Sequence, residues 1–349
     1  MNMNTSPSAP IIDLLAELPL KEVLPGILMF TLPVDYGIDH VNIYLIRDGE
    51  GWCLFDTGAD CEAARALWLR ALAGPLAAGL TRIIVSHHHP DHLGLAAWLA
   101  QVTGAPILMR PEEREVARAT SVPDEAGRRH CVEFMCRHGL SPSDAHEIVS
   151  GVLQENLACD EPPPSTSLED GQCLEIGDYR FDVLVLGGHS IAQICLYEPD
   201  FKLLLTGDQL LERITPNVGV WPYGETNPLP RYIDSLRVIA GLPIEHVLPA
   251  HHRVYHAGEK RAHGLAAHHQ RALRRFKAGL REGMSAADLG EANYGKQSET
   301  LHGFLAMGET LAHLLWLEAD GHVTSRVDTG VVRWSPVQGS TEPMVQILI

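Results

Sequence analysis

Five apolar runs in the 349-residue chain each close on an acid or a histidine. They are "WCLFD" at Asp56, "RIIVSHHHPDH" from His87 to His92, "VLVLGGH" at His189, "KLLLTGD" at Asp208 and "HVLPAHH" at His251 and His252. Short aliphatic and β-branched runs bounded by glycine or proline read as buried strands. A polar side chain just past the carboxyl end of such a strand sits where α/β folds place their chemistry. The fold must therefore bring several strand ends to one edge.

The remaining pattern is also α/β. "GILMFTLP", "VNIYLIRD", "PILMR", "CLEIGD", "YRFDVLVLGG" and "AQICLYEP" supply further strands. "CEAARALWLRALAG" and "LGLAAWLAQVTG" read as helices stopped by Gly74 and Gly104, and "RYIDSLRVIAGL" as a third. Residues 111–166 break this rhythm. "PEEREVAR", "AGRRHCVEFMCRHG" and "PSDAHEIVSGVLQEN" are helical and "DEPPPSTS" closes them as a loop, so this stretch is a helical insert, either a lid or a packed structural element. After residue 256 come a long basic helix, "EKRAHGLAAHHQRALRRFKAGLREG", and the shorter helices "SAADLGEA" and "GETLAHLLWLEADG". The hairpin "HVTSRVDTGVVRWSP" then turns at Asp328-Thr329-Gly330. The expected organisation is a catalytic domain over 20–256 and a small winged-helix-like module over 257–349.

Composition narrows the function. Apolar residues are 45% of the chain, enough for a large core, and the formal net charge of -17 disfavours a phosphate backbone as partner. "MNMNTSPSAP" is polar, and "IIDLLAELPL" carries Asp13 and Glu17, so neither a signal core nor a membrane span is expected there. No window reaches the ~18 apolar residues of a spanning helix. Seven cysteines without a CxxC pair suit reduced thiols and a cytoplasmic setting, with Cys131 and Cys136 as ordinary buried thiols.

The densest chemistry is "SHHHPDHLG". His87 and His89, two residues apart, can converge on one ion from a turn, and Asp91 and His92 can reach a neighbouring point. Imidazoles with a carboxylate are the ligand set of a hydrolytic zinc site. Two ions ~3.5–4 Å apart could clamp a substrate and its attacking water. His189, Asp208 and His251 or His252 offer the additional ligands. Each alone is ordinarily a cap or turn residue; their coincidence with the first cluster argues for a dinuclear site.

The succession H-x-H-x-D-H, G-H-S, T-G-D and L-P-x-H over roughly 25–255 resembles the metallo-β-lactamase superfamily. That resemblance implies an αββα sandwich with two metal ions at one edge of the paired sheets. It implies that His87, His89 and His189 hold one ion, that Asp91, His92 and His251 hold the other, and that Asp208 bridges them. Asp91 and Asp208 would be the catalytic carboxylates, Asp56 of "FDTG" would orient ligands, and His88 would point away. His251 is preferred to His252 because Pro249-Ala250-His251 aligns with the family's P-G-H, with alanine for glycine. "GGHSIAQ" also departs from the family's Gly-His-Thr-Pro-Gly. The implied cofactor is a pair of divalent ions, zinc first, with iron or manganese as alternatives.

The expected reaction is hydrolysis of an ester, thioester or lactone by a hydroxide held between the cations. Redox members of the superfamily carry Glu at the position of His89 and add a flavodoxin domain; neither feature is found here. Trp221 and Tyr223, soon after Asp208, are candidate walls for an apolar acyl or lactone group, or core residues. One rival is a ribonuclease or phosphodiesterase, with Arg261, Arg271, Arg274, Arg275 and Lys277 on phosphates rather than on a solvated helix face. A second rival is a non-catalytic metal-binding protein, which would need a broken ligand set. A small-molecule substrate is the expected partner, without nucleic acid or membrane. The stripe Leu311, Leu314 and Leu315 gives residues 257–349 a role in homodimer assembly or cleft closure.

Overall fold

The computed structural model describes residues 18–35, 38–120, 125–154, 164–295 and 300–345. The readings of the N-terminal "MNMNTSPSAP" and of "IIDLLAE" lie outside the described residues. The first sheet has strand order β1 (Leu20–Leu24), β2 (Ile27–Pro33), β3 (His40–Asp48), β4 (Gly51–Phe55), β5 (Leu80–Ile84), β6 (Ile107–Leu108). Between its last strands run α1 (Glu62–Ala73), α2 (Pro90–Leu93) and α3 (Ala96–Thr103). The insert supplies α4 (Pro111–Thr120), α5 (Glu125–Arg137) and α6 (Pro142–Gln154). The second sheet contains β7 (Cys173–Ile176), β8 (Tyr179–Leu186), β9 (Gln193–Glu198), β10 (Leu203–Gly207) and β11 (His246–Pro249), ordered 11-10-9-8-7, with α7 (Pro228–Ala240) before β11. The chain continues through α8 (Gly258–Gly279), α9 (Ala286–Tyr294), α10 (Thr300–Ala319) and the hairpin β12 (Val323–Asp328) and β13 (Val331–Pro336).

Side-chain alternation along the strands sorts the core into layers. On β3, Ile43 and Leu45 face α1 and α3, while Tyr44 and Ile46 face the second sheet. On β9, Ile194 and Leu196 fill the space between the sheets, while Cys195 and Tyr197 face α7. The inner strands of both sheets are thus buried on both faces, which explains why they read as unbroken apolar runs. The result is the α/β, four-layer helix–sheet–sheet–helix sandwich that the resemblance implied.

Several elements differ from the sequence reading. β1 was not expected; "LKEVL" pairs antiparallel with β2 across a turn at Gly26. The helix read from "LGLAAWLAQVTG" starts only at Ala96, because Leu93 still closes α2 and Gly94 and Leu95 turn the chain before α3. The strand "PILMR" shrinks to Ile107–Leu108. Thr329 and Gly330 both adopt positive φ, as a two-residue turn between twisted strands requires. The order of three helices and a hairpin after residue 257 is as read, yet the core does not divide there. Phe276, Leu311 and Leu314 share one apolar cluster with Tyr232 and Ile233 of α7 and Met135 and Val149 of the insert. The insert is therefore packed into the body of the protein, and Leu311 and Leu314 are spent inside it. Among the described residues no helix is long and apolar enough to cross a membrane, and Cys53, Cys61, Cys131, Cys136, Cys173 and Cys195 are free thiols.

Candidate metal centre

The site is assembled from the ends of strands in both sheets. β5 runs into Ser86 and the histidine turn, and Pro90 then opens the four-residue α2. Gly94 closes that helix where nothing larger fits: a Cβ there would stand 2.4 Å from the Pro90 carbonyl and 2.8 Å from Asp60 N. The "FDTG" turn braces α2 from below. Thr57 donates its hydroxyl to the His92 carbonyl at 2.7 Å, and Asp56 takes up positive φ to face the histidine turn. β8 ends in Gly187-Gly188, which lie on the start of α7. A Cβ on Gly188, whose φ is +107°, would meet Tyr232 backbone at 2.5 Å. β10 delivers Asp208 past Gly207, where a Cβ would press on Gln193 and Ser86. β11 delivers His251, and Asn42 and Tyr44 of β3 hold the Pro249 carbonyl at 3.4 and 2.8 Å.

Two clusters result. His87, His89, His189 and Asp208 form one, and Asp91, His92, Asp208 and His251 form the other, with donor atoms in each within 4.8 Å of one another. Asp208 belongs to both and divides its carboxylate between them: Oδ2 lies 3.4 Å from His189 Nε2, and Oδ1 lies 3.5 Å from His92 Nε2 and 3.2 Å from His251 Nε2. Asp91 Oδ2 stands 3.2 Å from His251 Nε2. In the first cluster His87 Nε2 and His189 Nε2 approach His89 Nδ1 at 2.9 and 3.1 Å.

The outer ring nitrogens settle how the inner ones are presented. Nδ1 of His92 meets Asp56 at 2.8 Å, Nδ1 of His189 meets the Asn217 carbonyl at 2.9 Å, and Nδ1 of His251 meets the His40 carbonyl at 2.9 Å. These partners only accept, so each Nδ1 carries a proton and Nε2 is the ring atom turned inward, where it would offer its lone pair to a cation. Asp56 Oδ2 also accepts from the Ser86 hydroxyl at 2.9 Å, and that hydroxyl lies 2.9 Å from His87 Nδ1. One carboxylate thereby orients a ring in each cluster.

The donor set fits divalent cations. His92 Nε2, His251 Nε2 and Asp208 Oδ1 are buried and make no well-formed hydrogen bond, facing one another only as ion pairs, and a cation between them would satisfy all three. Burial, then the neighbouring imidazoles, hold His87 and His89 well below the usual histidine range, so they stand neutral. Burial opposes the charge on Asp91 and Asp208, but the facing histidines outweigh it and both carboxyls lie far below their usual range. Burial likewise opposes a charge on His251, yet Asp208 and Asp91 push it up to about 10, and His92 is raised in the same way. Protons balance the carboxylates on that side, where a divalent ion would take their place.

The other residues singled out from the sequence lie around this centre. His88 turns away from both clusters and meets Glu113 of α4 at 2.5 Å. His252 stays outside, at φ +68°, with its ring against His40. Trp221 stacks on Phe304 of α10 with ring centroids 4.4 Å apart, and Tyr223 lies 5.2 Å from the His130 ring of α5. Both rings join the segment after Asp208 to the insert and the C-terminal helices. Arg261 donates to the Leu211 and Ile214 carbonyls of that segment, and Lys277 donates to the Ser340 and Thr341 carbonyls. Sequence reasoning missed Ser86, Glu113, Asn42 and Asn217. Only Ser86, beside His87, carried a signal; Asn217 acts through its backbone, and Glu113 resembles any first-turn acid.

Comparison with known proteins agrees with this geometry. A beta-lactamase domain protein from Burkholderia ambifaria superposes with a TM-score of 0.83 at 29% identity, covering 94% of this chain and 97% of its own. A metallo-beta-lactamase family protein from Thermus thermophilus gives 0.77 at 28% identity, covering 90% and 100%. Among relatives by sequence, the acyl-coenzyme A thioesterase MBLAC2 of Gallus gallus is 25% identical over 66% of this chain and 78% of its own length. A hydroxyacylglutathione hydrolase of Cereibacter sphaeroides is 25% identical over 54% and 57%. The model of the metallo-beta-lactamase superfamily matches residues 36–251, a span that opens before β3 and closes on His251. With its strand ends, its two clusters and that match, the chain belongs to the metallo-beta-lactamase superfamily.

Proposed function

We propose that the protein is a dinuclear metal-dependent hydrolase of acyl thioesters, with esters and lactones as weaker substrates. The observation that carries the reading is Asp208, whose two oxygens face two separate histidine clusters. His87, His89 and His189 would hold one ion, Asp91, His92 and His251 the other, and Asp208 both. The nitrogen and carboxylate donors favour zinc, with iron or manganese as alternatives. Such ions supply Lewis acidity and a water acidic enough to ionise near neutral pH. The chain's own part is to hold the donors fixed: Asp56, Asn217 and His40 orient the rings through Nδ1, and burial of both clusters limits bulk water. Asp91, facing His251, is placed to take and return a proton at its Oδ2.

The thioester preference draws on two relatives, one by name an acyl-coenzyme A thioesterase and the other a hydroxyacylglutathione hydrolase. A nuclease reading has less support, because Arg261 and Lys277 already donate to backbone carbonyls and Arg274 faces Glu342. The test joins elemental analysis of protein purified without chelator to a panel of acyl thioesters, esters, lactones, β-lactams and RNA. About two ions per chain, and thioester cleavage lost on chelation and restored by metal, is the expected result. Fewer than one ion after reconstitution, or faster turnover of RNA, would overturn it.

A further inference from the structure

The insert buries one carboxylate that no role above uses. Glu113, third residue of α4, is fully buried, whereas its neighbour Glu112 pairs with Arg110 near the surface. The two oxygens of Glu113 serve different loops. Oε2 accepts the His88 backbone N–H at 3.0 Å and meets His88 Nδ1 at 2.5 Å; Oε1 accepts the Ala192 N–H at 2.6 Å. The first loop carries His87 and His89, and the second carries His189. These three imidazoles with Asp208 are one of the two clusters, and the other takes no residue from the second loop.

We propose that Glu113 is a positioning residue that straps these two loops at the separation the three-histidine cluster needs. The proposal rests on the metal-centre reading above. A desolvated carboxylate is costly unless its acceptors are filled. Here both are, so shifting either loop would strip one oxygen of its donor. The strap acts on backbone N–H groups and therefore fixes loop position, not the rotamer of a single ligand. The helical insert thereby becomes part of the metal centre instead of a cover over it. Further along the first loop, His92 has supports of its own in Thr57 and Asp56, so the effect should fall on one ion.

Glutamine at position 113 keeps the shape but offers only one carbonyl oxygen, so its NH2 must face one of the two N–H donors. Two single-site backgrounds separate the ions: His251→Ala weakens the Asp91 side, and His189→Ala weakens the three-histidine side. Zinc affinity is read by chelator competition, with circular dichroism as the folding check. Adding Glu113→Gln to His251→Ala should weaken zinc about 10–100-fold; adding it to His189→Ala should change affinity less than about threefold. Equal effects in both backgrounds, or none in the first, would overturn the strap. If Glu113→Gln does not fold, Glu113→Asp, whose shorter arm reaches one loop only, is judged by the same two comparisons. A wild-type protein that binds no ion overturns the metal-centre reading itself, whereas a two-ion wild type with indifferent variants overturns the strap alone.

Discussion

Asp208 gives the sharpest test at the scale of one residue. A bridging carboxylate serves both clusters with one negative charge, and an amide of the same shape has one oxygen and no charge. Asp208→Asn should therefore lose at least one ion and lower kcat at least about a hundredfold on the best thioester, while circular dichroism stays unchanged. A folded variant with both ions and near-normal turnover would reduce Asp208 to a turn residue. At this scale the sequence was informative wherever a side chain had no ordinary reason to be present. Histidines and acids past apolar strands stand out, and all seven selected from strand ends fall in one of the two clusters. It was silent about supports. Glu112 and Glu113 are adjacent acids in the first turn of a helix, where either would favour the dipole. Which one is buried depends on the loops packed over α4, and nothing local records that. Asn217 contributes a carbonyl, which every residue has.

At the scale of elements, the seam between α8 and α10 has its own acid sensitivity. His269 and His313 are both buried, with His269 Nδ1 3.2 Å from His313 Nε2, and His313 Nδ1 bonded to the Glu309 carbonyl at 2.7 Å. The rings of Tyr232 and Phe276 pack against them. Burial pushes His313 down to about 4 and also lowers His269, so the folded state keeps both neutral. Unfolded histidine titrates near 6.5. The folded value lies below the unfolded one, so the stabilisation is complete above about pH 6.5 and is lost as pH falls towards 4. For His313 this is on the order of 3 kcal/mol. His313→Leu should be less stable at pH 7.5, by about 1–3 kcal/mol, because His269 loses its acceptor. Its Tm should also fall less steeply than wild type between pH 6.5 and 4.5. Parallel Tm profiles would rule the pair out as the acid-sensitive element. Strands and long helices at this scale were legible from periodicity, and the misses have local causes. "LKEVL" is too short and too polar to announce β1 before its partner β2 is in place. The late start of α3 follows from holding His92 and Leu95 on Thr57, contacts between residues far apart in sequence.

Over the whole molecule, the core decides what counts as a unit. Composition changes visibly after residue 256, but α7 lies between the second sheet and α8, and its Tyr232, Ile233 and Leu236 share an apolar cluster with Leu265, Leu273 and Phe276. A chain cut after 256 would expose that face, at roughly 25 cal/mol per Å2 of apolar surface. The truncated protein is expected to be insoluble or to lack a cooperative thermal transition; a sharp transition with retained metal would show instead that residues 20–256 fold alone. The ligands are shared on a similarly large scale. In each cluster the "SHHHPDH" residues come from the first sheet and the remainder from ends of the second. An ion held in either cluster would therefore tie the two sheets together, because its ligands come from both. Loading the clusters would then brace that edge of the sandwich against opening, so the interior between the sheets would gain rigidity from chemistry at its rim.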